Sequence, residues 1–383
     1  MRTLRRSLMA VRPVVANLVL LCGSLFVTFG ILELSLRVIY PAPIRFLYPQ
    51  EFYDFDAEME HVLRPGQTAF THDHPVRINS LGLRDREITQ QPGPGALRVL
   101  ALGDSQTFGA GLALADTWPK QLERVLRGGV ASSREVEVVN AGIPGTDTWQ
   151  HEILLRRLLK MTNPQAVVLA LYVNDVVPGY TPRRIGASAP TNTWDKQLVY
   201  LLKRSAVITW TYYRLFLPWY TRGGPASTIE EAVLTGKVDA RAERGWQQVD
   251  RSLAAMKEAC DARGVRLLVA ILPRRDQVSG IHPGRAYQER ARATSEAHGI
   301  EALDLLPDLS AEYRTKGDAL FIPWDGHNSA SANRVIAERL AQMARSWHAT
   351  PDVSPRPERE TPARLRPPAR SGSATGNSPG PSP

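Results

Sequence analysis

Short apolar runs alternate with segments of helical periodicity between residues 98 and 348. The runs are rich in Val, Leu and Ile and are apolar at successive positions, which is typical of parallel strands buried on both faces. The predicted strands are residues 98–103, 135–140, 166–173, 265–272 and 301–305. The predicted helices are residues 117–126, 148–160, 246–263, 287–298 and 329–347. This alternation predicts an α/β fold, a three-layer α/β/α sandwich around a parallel sheet with right-handed crossovers.

The N-terminal segment has a different pattern, because residues 14–32 carry no charge. A helix of that length spans about 28 Å, close to the hydrocarbon thickness of a bilayer. Four arginines and no acidic residue precede the run: Arg2, Arg5, Arg6 and Arg12. The positive-inside rule then predicts a cytoplasmic basic N-terminus at residues 1–13 and an inner-membrane helix at residues 14–36. The rest of the chain is expected on the periplasmic side.

The alternative to an uncleaved anchor is a cleaved signal peptide. A signal peptide has a shorter apolar region, of about 7–15 residues, followed by a small-x-small cleavage site. The run here ends without such a site, and Leu21 is too bulky for the position before a lipoprotein cysteine at Cys22. The pattern therefore favours an anchor and leaves cleavage as the open alternative.

Three further segments do not follow the strand–helix alternation. Residues 37–97 are expected to be a periplasmic linker and N-terminal extension. Residues 178–245 are an insertion in the domain of residues 98–348, and its aromatic side chains are Trp194, Tyr200, Trp210, Tyr212, Tyr213, Phe216, Trp219 and Tyr220. The insertion is either packed on the domain, or it is a lid or a surface that rests on lipid headgroups. Residues 349–383 hold nine prolines and few apolar residues, which predicts a disordered tail.

Charge and cysteine content exclude several classes of protein. The net charge is +9, but the basic N-terminus and the tail account for most of it, and about +3 remains for the residues between them. That is too little for a nucleic-acid-binding surface. Cys22 and Cys260 cannot form a disulfide framework or a four-ligand zinc site. The cluster His61, His72, Asp73 and His74 lacks a further ligand at a sensible spacing, so no metal site is expected.

Two short motifs carry the residue types that nucleophilic catalysis needs. Gly103-Asp104-Ser105 directly follows the first predicted strand, and Asp325-Gly326-His327 opens the last predicted helix. A serine hydroxyl is a weak nucleophile until an imidazole accepts its proton. The imidazole in turn needs a carboxylate that fixes its tautomer. Ser105, His327 and Asp325 supply these three groups.

Two hydrogen-bond donors follow the second and third predicted strands. Gly142 lies in the loop after the second strand, and Asn174 lies at the end of the third. Acyl transfer through serine requires donors for the oxyanion that develops on the carbonyl. Because ligands bind beyond the carboxyl ends of parallel strands, we expect all of these groups at one edge of the sheet.

These four motifs resemble the signature blocks of the SGNH hydrolases, also called GDSL-type esterases, and the resemblance covers residues 98–347. Residues 78–85 resemble the run that precedes the domain in membrane-anchored bacterial members. The resemblance implies a flavodoxin-like sheet and no metal or organic cofactor. It implies that Ser105 is the nucleophile, that His327 is the general base and then acid, and that Asp325 orients His327. The oxyanion hole would consist of the Ser105 and Gly142 N–H groups and the Asn174 amide.

The expected function is that of a membrane-anchored serine esterase acting on an O-acyl ester. Its place on the periplasmic side indicates an acylated cell-envelope glycan as the substrate. One alternative is an O-acyltransferase that uses the same acyl-enzyme. A second alternative is a non-catalytic glycan-binding protein on the same fold.

Overall fold

In the computed structural model, a five-stranded parallel sheet forms the centre of the chain. The structure describes residues 2–39, 52–71, 74–129, 135–176, 202, 205–216, 225–237, 239–322 and 326–344. The strands are β1 (Tyr53–Asp56), β2 (Glu60–Leu63), β3 (Thr68–Thr71), β4 (His74–Arg77), β5 (Leu97–Gly103), β6 (Val136–Gly142), β7 (Ala166–Leu171), β8 (Arg266–Ile271) and β9 (Glu301–Asp304). The helices are α1 (Arg2–Ile39), α2 (Ser105–Phe108), α3 (Trp118–Gly129), α4 (Thr148–Thr162), α5 (Ala206–Thr211), α6 (Pro225–Thr235), α7 (Ala240–Asp261), α8 (Arg275–Val278), α9 (Ala286–Ala297), α10 (Leu306–Lys316) and α11 (Ala330–Ala344).

The central sheet has the order β6-β5-β7-β8-β9, with all neighbouring strands parallel. Its first strand in the chain, β5, lies between the second and the third, which is the flavodoxin-like order. Leu100 of β5 is paired with Val139 of β6 on one side and with Val167 of β7 on the other. All five predicted strands are present, each within two residues of its predicted bounds. The predicted fold class is therefore confirmed.

Both faces of the sheet are buried, because successive strand residues enter two different cores. Leu100 and Leu102 enter the core that also holds side chains of α4, α7 and α9. Val99 and Ala101 enter the opposite core, beside side chains of α3, α10 and α11. This arrangement explains why the strands read as unbroken apolar runs rather than as alternating patterns.

The N-terminal extension contains regular structure in its described part, residues 52–71 and 74–97. β1 pairs with β2 and β3 pairs with β4 in two antiparallel hairpins. Phe52, Met59 and Leu63 are fully buried in the same core as α4 and α7. These strands are only four residues long, so periodicity could not distinguish them from loops.

The insertion contributes helices that the alternation did not resolve. α6 packs into the domain, since Val233 and Leu234 are buried in its core and Glu230 is 2.8 Å from Arg274. Residues 240–245 form the first turns of α7, so that helix begins earlier than residue 246, where we predicted its start. Residues 178–200 of the insertion and the predicted tail at residues 349–383 lie outside the described residues.

α1 is a single helix from Arg2 to Ile39. Within it, residues 15–39 are the one segment of the described chain that is long and apolar enough to cross a membrane. Most of its described side chains are exposed rather than packed against the domain. A signal sequence near the N-terminus can meet the same criteria of length and hydropathy, so the helix itself is compatible with both interpretations.

His61 links the extension to the loop after β6 and gives stability a dependence on pH. Its Nε2 donates to the carbonyl oxygen of Pro144 at 3.1 Å, and its ring meets Tyr53 edge to face. Burial lowers the pKa of His61 below its ordinary value of 6.5. In the unfolded chain the imidazole takes up a proton as the pH falls below about 6.5, and the folded state resists that uptake.

We expect the free energy of unfolding to fall with pH below about 6.5, with His61 contributing up to about 1.4 kcal/mol per pH unit. His61→Gln keeps an N–H donor but removes the titration, so its stability should change less between pH 7.5 and pH 5. The measurement is urea denaturation of the full chain in detergent, for both proteins, across that range. Parallel curves for the two proteins would contradict the assignment.

Candidate active site

Ser105 lies at the carboxyl end of β5, at the first position of the short helix α2. The side chain of Asp104 caps this helix by accepting a hydrogen bond from the Gln106 N–H at 2.8 Å. Gly103 has φ 151°, and a Cβ there would lie 2.2 Å from Thr107 Oγ1. Only glycine therefore permits the sharp turn that leaves Ser105 half-buried at the sheet edge.

His327 lies beside Ser105, although 222 positions separate the two residues in the chain. Its Nε2 is 2.8 Å from Ser105 Oγ, within hydrogen-bond distance for proton transfer. Two hydrogen bonds of the backbone hold the loop that carries His327 in place. The Ile322 N–H donates to the His327 carbonyl at 2.7 Å, and the Asn328 N–H donates to the side chain of Gln106 at 3.2 Å.

Asp325, the third residue of the predicted triad, lies outside the described residues. Its role as the group that orients His327 therefore stays a prediction. The described part of the loop includes Gly326, whose φ of 77° allows the chain to turn before His327.

Asn174 lies in a 3₁₀ turn, Val173–Val176, directly after β7. Its Nδ2 donates to Asp104 Oδ2 at 2.9 Å. This amide nitrogen carries two hydrogens, so one of them remains for a substrate oxygen. The contact with Asp104 ties the amide to the residue that precedes Ser105, which fixes both groups at one edge of the sheet.

Asp104 is buried, and its carboxyl is held by groups that favour its ionised form. Burial raises the pKa of Asp104, while hydrogen bonds from Gln106 and Asn174 and the interaction with His327 oppose that rise. A carboxylate at this position favours the protonated imidazole electrostatically. Asp104 thus interacts electrostatically with His327 in addition to capping α2, and its sequence motif did not indicate this interaction.

Gly142 lies at the end of β6, opposite Gly103 in the sheet register. Its N–H donates to Asn140 Oδ1 at 3.0 Å, so the predicted oxyanion donor is already engaged in a hydrogen bond. The glycine also permits close packing, since a Cβ there would lie 2.1 Å from the Phe108 nitrogen. Its part in an oxyanion hole stays a prediction, whereas its part in seating α2 is visible in the structure.

Arg84 stabilises the loop that follows α2, a role that the sequence did not reveal. Its Nη1 donates to the carbonyl oxygens of Phe108 and Gly109 at 2.7 Å, and its Nη2 donates to that of Leu112 at 2.5 Å. The side chain is only 1% exposed. Arg84 belongs to the run 78–85 that resembles the segment preceding the domain, and this resemblance was the only available signal.

A buried polar layer supports the turn that carries Asn174. Asp175 accepts hydrogen bonds from the Tyr172 N–H and from Thr148 Oγ1, both at 2.8 Å. His151 donates to Thr146 Oγ1 at 2.9 Å, and its Nδ1 lies 3.7 Å from Asp175. Burial lowers the pKa of His151 to about 3 and raises that of Asp175. These groups fix the turn in place.

The residues considered for a metal site do not assemble one in the described part of the chain. Among those residues, no group of three His, Cys, Asp or Glu side chains is arranged to hold an ion. His61 is bound to Pro144, and His72 and Asp73 lie outside the described residues.

We expect Gly142→Ala to lower the free energy of unfolding by about 1–3 kcal/mol, because its Cβ would overlap the backbone of α2. Gly128→Ala is the matched control, since a Cβ there meets nothing within 4 Å. That control replaces glycine by alanine within helix α3, which should leave stability unchanged or raise it by up to about 1 kcal/mol. Urea denaturation measures both effects. Equal stability of the two variants would contradict the close packing of Gly142 on α2.

The amino-acid sequence is similar to one protein family and to an esterase. The model of the GDSL-like lipase/acylhydrolase family matches residues 101–335. An arylesterase from Vibrio mimicus is 31% identical over 88 residues, which are 23% of this chain and 42% of the arylesterase. The chain thus matches less than half the length of that relative.

Two solved structures illustrate the similarity at low sequence identity. The crystal structure of TesA shares 16% identity with a TM-score of 0.40, covering 65% of this chain and 98% of TesA. The psychrotrophic esterase EstA from Pseudoalteromonas sp. shares 15% identity with a TM-score of 0.38, covering 66% of this chain and 99% of EstA. Because the family match spans more than half of the sequence and includes Ser105 and His327, the chain belongs to the GDSL-like lipase/acylhydrolase family, whose members are hydrolases of the SGNH type.

Proposed function

We propose that the protein is a serine esterase that hydrolyses an O-acyl ester through an acyl-Ser105 intermediate. The observation that carries this proposal is the distance of 2.8 Å between Ser105 Oγ and His327 Nε2. Both side chains are half-buried, at the edge of the sheet where parallel α/β folds bind ligands. A non-catalytic glycan-binding protein would have no need for a serine paired with an imidazole.

In the first half of the reaction, Ser105 Oγ attacks the acyl carbonyl carbon while His327 Nε2 accepts the hydroxyl proton. The tetrahedral intermediate then collapses. His327 returns the proton to the leaving alcohol oxygen as the ester C–O bond breaks. Asp325 would orient the imidazole, and the buried Asp104 carboxylate would favour its protonated form.

The negative charge on the intermediate needs donors that are in place before the reaction. The free hydrogen of Asn174 Nδ2 and the Ser105 N–H supply two of them. The Ser105 N–H is at the first position of α2, where a helix has no acceptor of its own. Because the Gly142 N–H already donates to Asn140, it would join this hole as a donor shared between two acceptors.

In the second half, water attacks the acyl-Ser105 carbonyl while His327 accepts a proton from it. Ser105 and His327 are each half-buried among the described residues, which supports the entry of water at this point of the reaction. This access favours hydrolysis over transfer to a sugar hydroxyl, since an acyltransferase must keep water from its acyl-enzyme.

The cellular setting of the proposal follows from the N-terminal helix. Residues 15–39 would anchor the protein in the inner membrane, with the arginines on the cytoplasmic side. The catalytic domain would then face the periplasm. The esters at that location include O-acyl groups on cell-envelope glycans, which we propose as the substrate class.

We expect Ser105→Ala to lose labelling by a fluorophosphonate and to lower kcat/KM for p-nitrophenyl acetate by about a thousandfold or more. His327→Gln should lower kcat by a similar factor, because the hydroxyl then has no base. Ser279→Ala is the matched control, since its hydroxyl donates to the Asp276 carbonyl in a different loop. Labelling of Ser105→Ala at the wild-type rate would remove Ser105 from the role of nucleophile.

Adding an unacylated glycan, as a possible acceptor of the acetyl group, to the same assay separates hydrolysis from acyl transfer. The proposal predicts that release of p-nitrophenol does not depend on an unacylated glycan and that acetate appears in solution. Turnover that requires the acceptor, with acetate on the glycan, would instead establish the acyltransferase.

A further inference from the structure

The helix α5 of the insertion lies against α1, and a single carboxylate joins them. Glu33 of α1 accepts hydrogen bonds from Ser205 Oγ at 2.8 Å, from the Ala206 N–H at 2.8 Å and from the Val207 N–H at 3.0 Å. The negative charge thus caps the positive end of the α5 dipole from another element of the chain. Arg37, one turn further along α1, donates to the same carboxylate at 2.6 Å and offsets its charge.

The buried face of α5 carries small side chains. Ala206 and Thr209 of α5 are 0% and 4% exposed, and they lie three positions apart, on one face of the helix. Small residues at such a face are typical of helix contacts beside or within membranes.

The end of the segment carries exposed apolar side chains. α5 continues into a π-helical turn, Tyr212–Phe216. Tyr212, Leu215 and Phe216 are 45%, 59% and 46% exposed. Nearby on α1, Leu34 and Val38 are 65% and 71% exposed. The exposed apolar side chains of this turn and of α1 therefore lie on two segments that the contacts of Glu33 hold together.

The length of residues 205–216 limits how this segment can lie in a bilayer. Residues 205–216 span about 18 Å as a helix, about three-fifths of the hydrocarbon thickness of roughly 30 Å, so they cannot cross it. Glu33 is the first charged residue after the uncharged run of residues 14–32. It therefore lies where the anchor would leave the hydrocarbon, and α5 begins at that level.

We propose that residues 205–216 form an interfacial helix that binds the outer leaflet of the phospholipid bilayer and is clamped to the anchor by Glu33. This inference rests on the proposed anchoring of α1 in the membrane. The segment contains Trp210 and Tyr212 and one charged residue, Arg214, a composition typical of helices at the boundary between lipid and water.

The same insertion is also joined to the catalytic domain. α6 is buried in the domain core through Val233 and Leu234, and it contacts the 3₁₀ turn that carries Asn174. The insertion therefore has one described helix at the membrane anchor and another beside the candidate oxyanion hole. An interfacial α5 would hold the domain at the bilayer surface instead of leaving it on a free tether.

The test measures the depth of single spin labels in vesicles of phosphatidylethanolamine and phosphatidylglycerol. The full chain with Cys22→Ala and Cys260→Ala receives one new cysteine by Leu215→Cys, Leu25→Cys or Arg263→Cys. Leu25 reports on the anchor, and Arg263 is an exposed position before β8, at the amino edge of the sheet. Accessibility to oxygen, which partitions into lipid, is compared with accessibility to a water-soluble nickel chelate.

The proposal predicts that the label at position 215 is severalfold more accessible to oxygen relative to nickel than the label at position 263. It also predicts that the label at position 215 is shallower than the label at position 25. Position 215 as aqueous as position 263, with position 25 in lipid, would overturn the interfacial helix and leave the anchor intact. A label at position 215 shielded from both reagents would overturn it as well, because protein would then cover this face. An aqueous label at position 25 would overturn the anchor itself.

A second set of variants tests the clamp. With the label at position 215, Glu33→Ala should shift its accessibility ratio toward the aqueous value, and Ser205→Ala should shift it in the same direction by less. Ser24→Ala is the matched control, since its hydroxyl donates to the Leu21 carbonyl within α1. An unchanged ratio in both Glu33→Ala and Ser205→Ala would overturn the role of Glu33.

Discussion

Parallel pairing of β5 with β6 and β7 is the constraint on which the site depends. Because the three strands run in the same direction, their carboxyl ends meet at one edge. Ser105 and Asn174 follow the ends of β5 and β7, and Gly142 is the last residue of β6, so the sheet register itself sets their relative positions. The burial of both faces of the sheet makes that register difficult to change, since a shift by one residue would exchange the two cores.

Polar contacts then adjust the site within this frame. Asp104 caps α2 with one carboxylate oxygen and holds Asn174 with the other. Gln106 ties the loop of His327 to α2, and Arg84 stabilises the loop that follows α2. Ser105 and His327 thus meet because the backbone around each of them is hydrogen-bonded to neighbouring elements.

The sequence predicted the elements that have a strong periodic signal and missed those that lack one. Each central strand was predicted because unbroken β-branched and aliphatic runs such as residues 166–171 are typical of strands buried on both faces. Helix α10 was missed, because residues 306–316 mix acidic, basic and small side chains. Of the residues in this helix, only Leu306 and Leu309 are buried. The hairpins at residues 53–77 were missed because each strand has four residues.

For the site, motif chemistry indicated which side chains would meet, and the meeting of Ser105 with His327 agrees with that expectation. It could not indicate that the Gly142 N–H donates to the Asn140 side chain, because this hydrogen bond at the end of β6 depends on backbone angles that residue types do not specify. Nor could it assign Arg84, whose three carbonyl acceptors are distant in sequence. The contact of Glu33 with α5 joins residues more than 170 positions apart, and no local pattern encodes it.

The most direct test of the account is a crystal structure of the protein after reaction with a phosphonate, which copies the tetrahedral intermediate. The account predicts phosphorus bonded to Ser105 Oγ, His327 Nε2 within hydrogen-bond distance of Oγ or the leaving-group position, and the phosphoryl oxygen close to Asn174 Nδ2 and the Ser105 nitrogen. Phosphorus on a different side chain, or a phosphoryl oxygen that points away from Asn174, would contradict it.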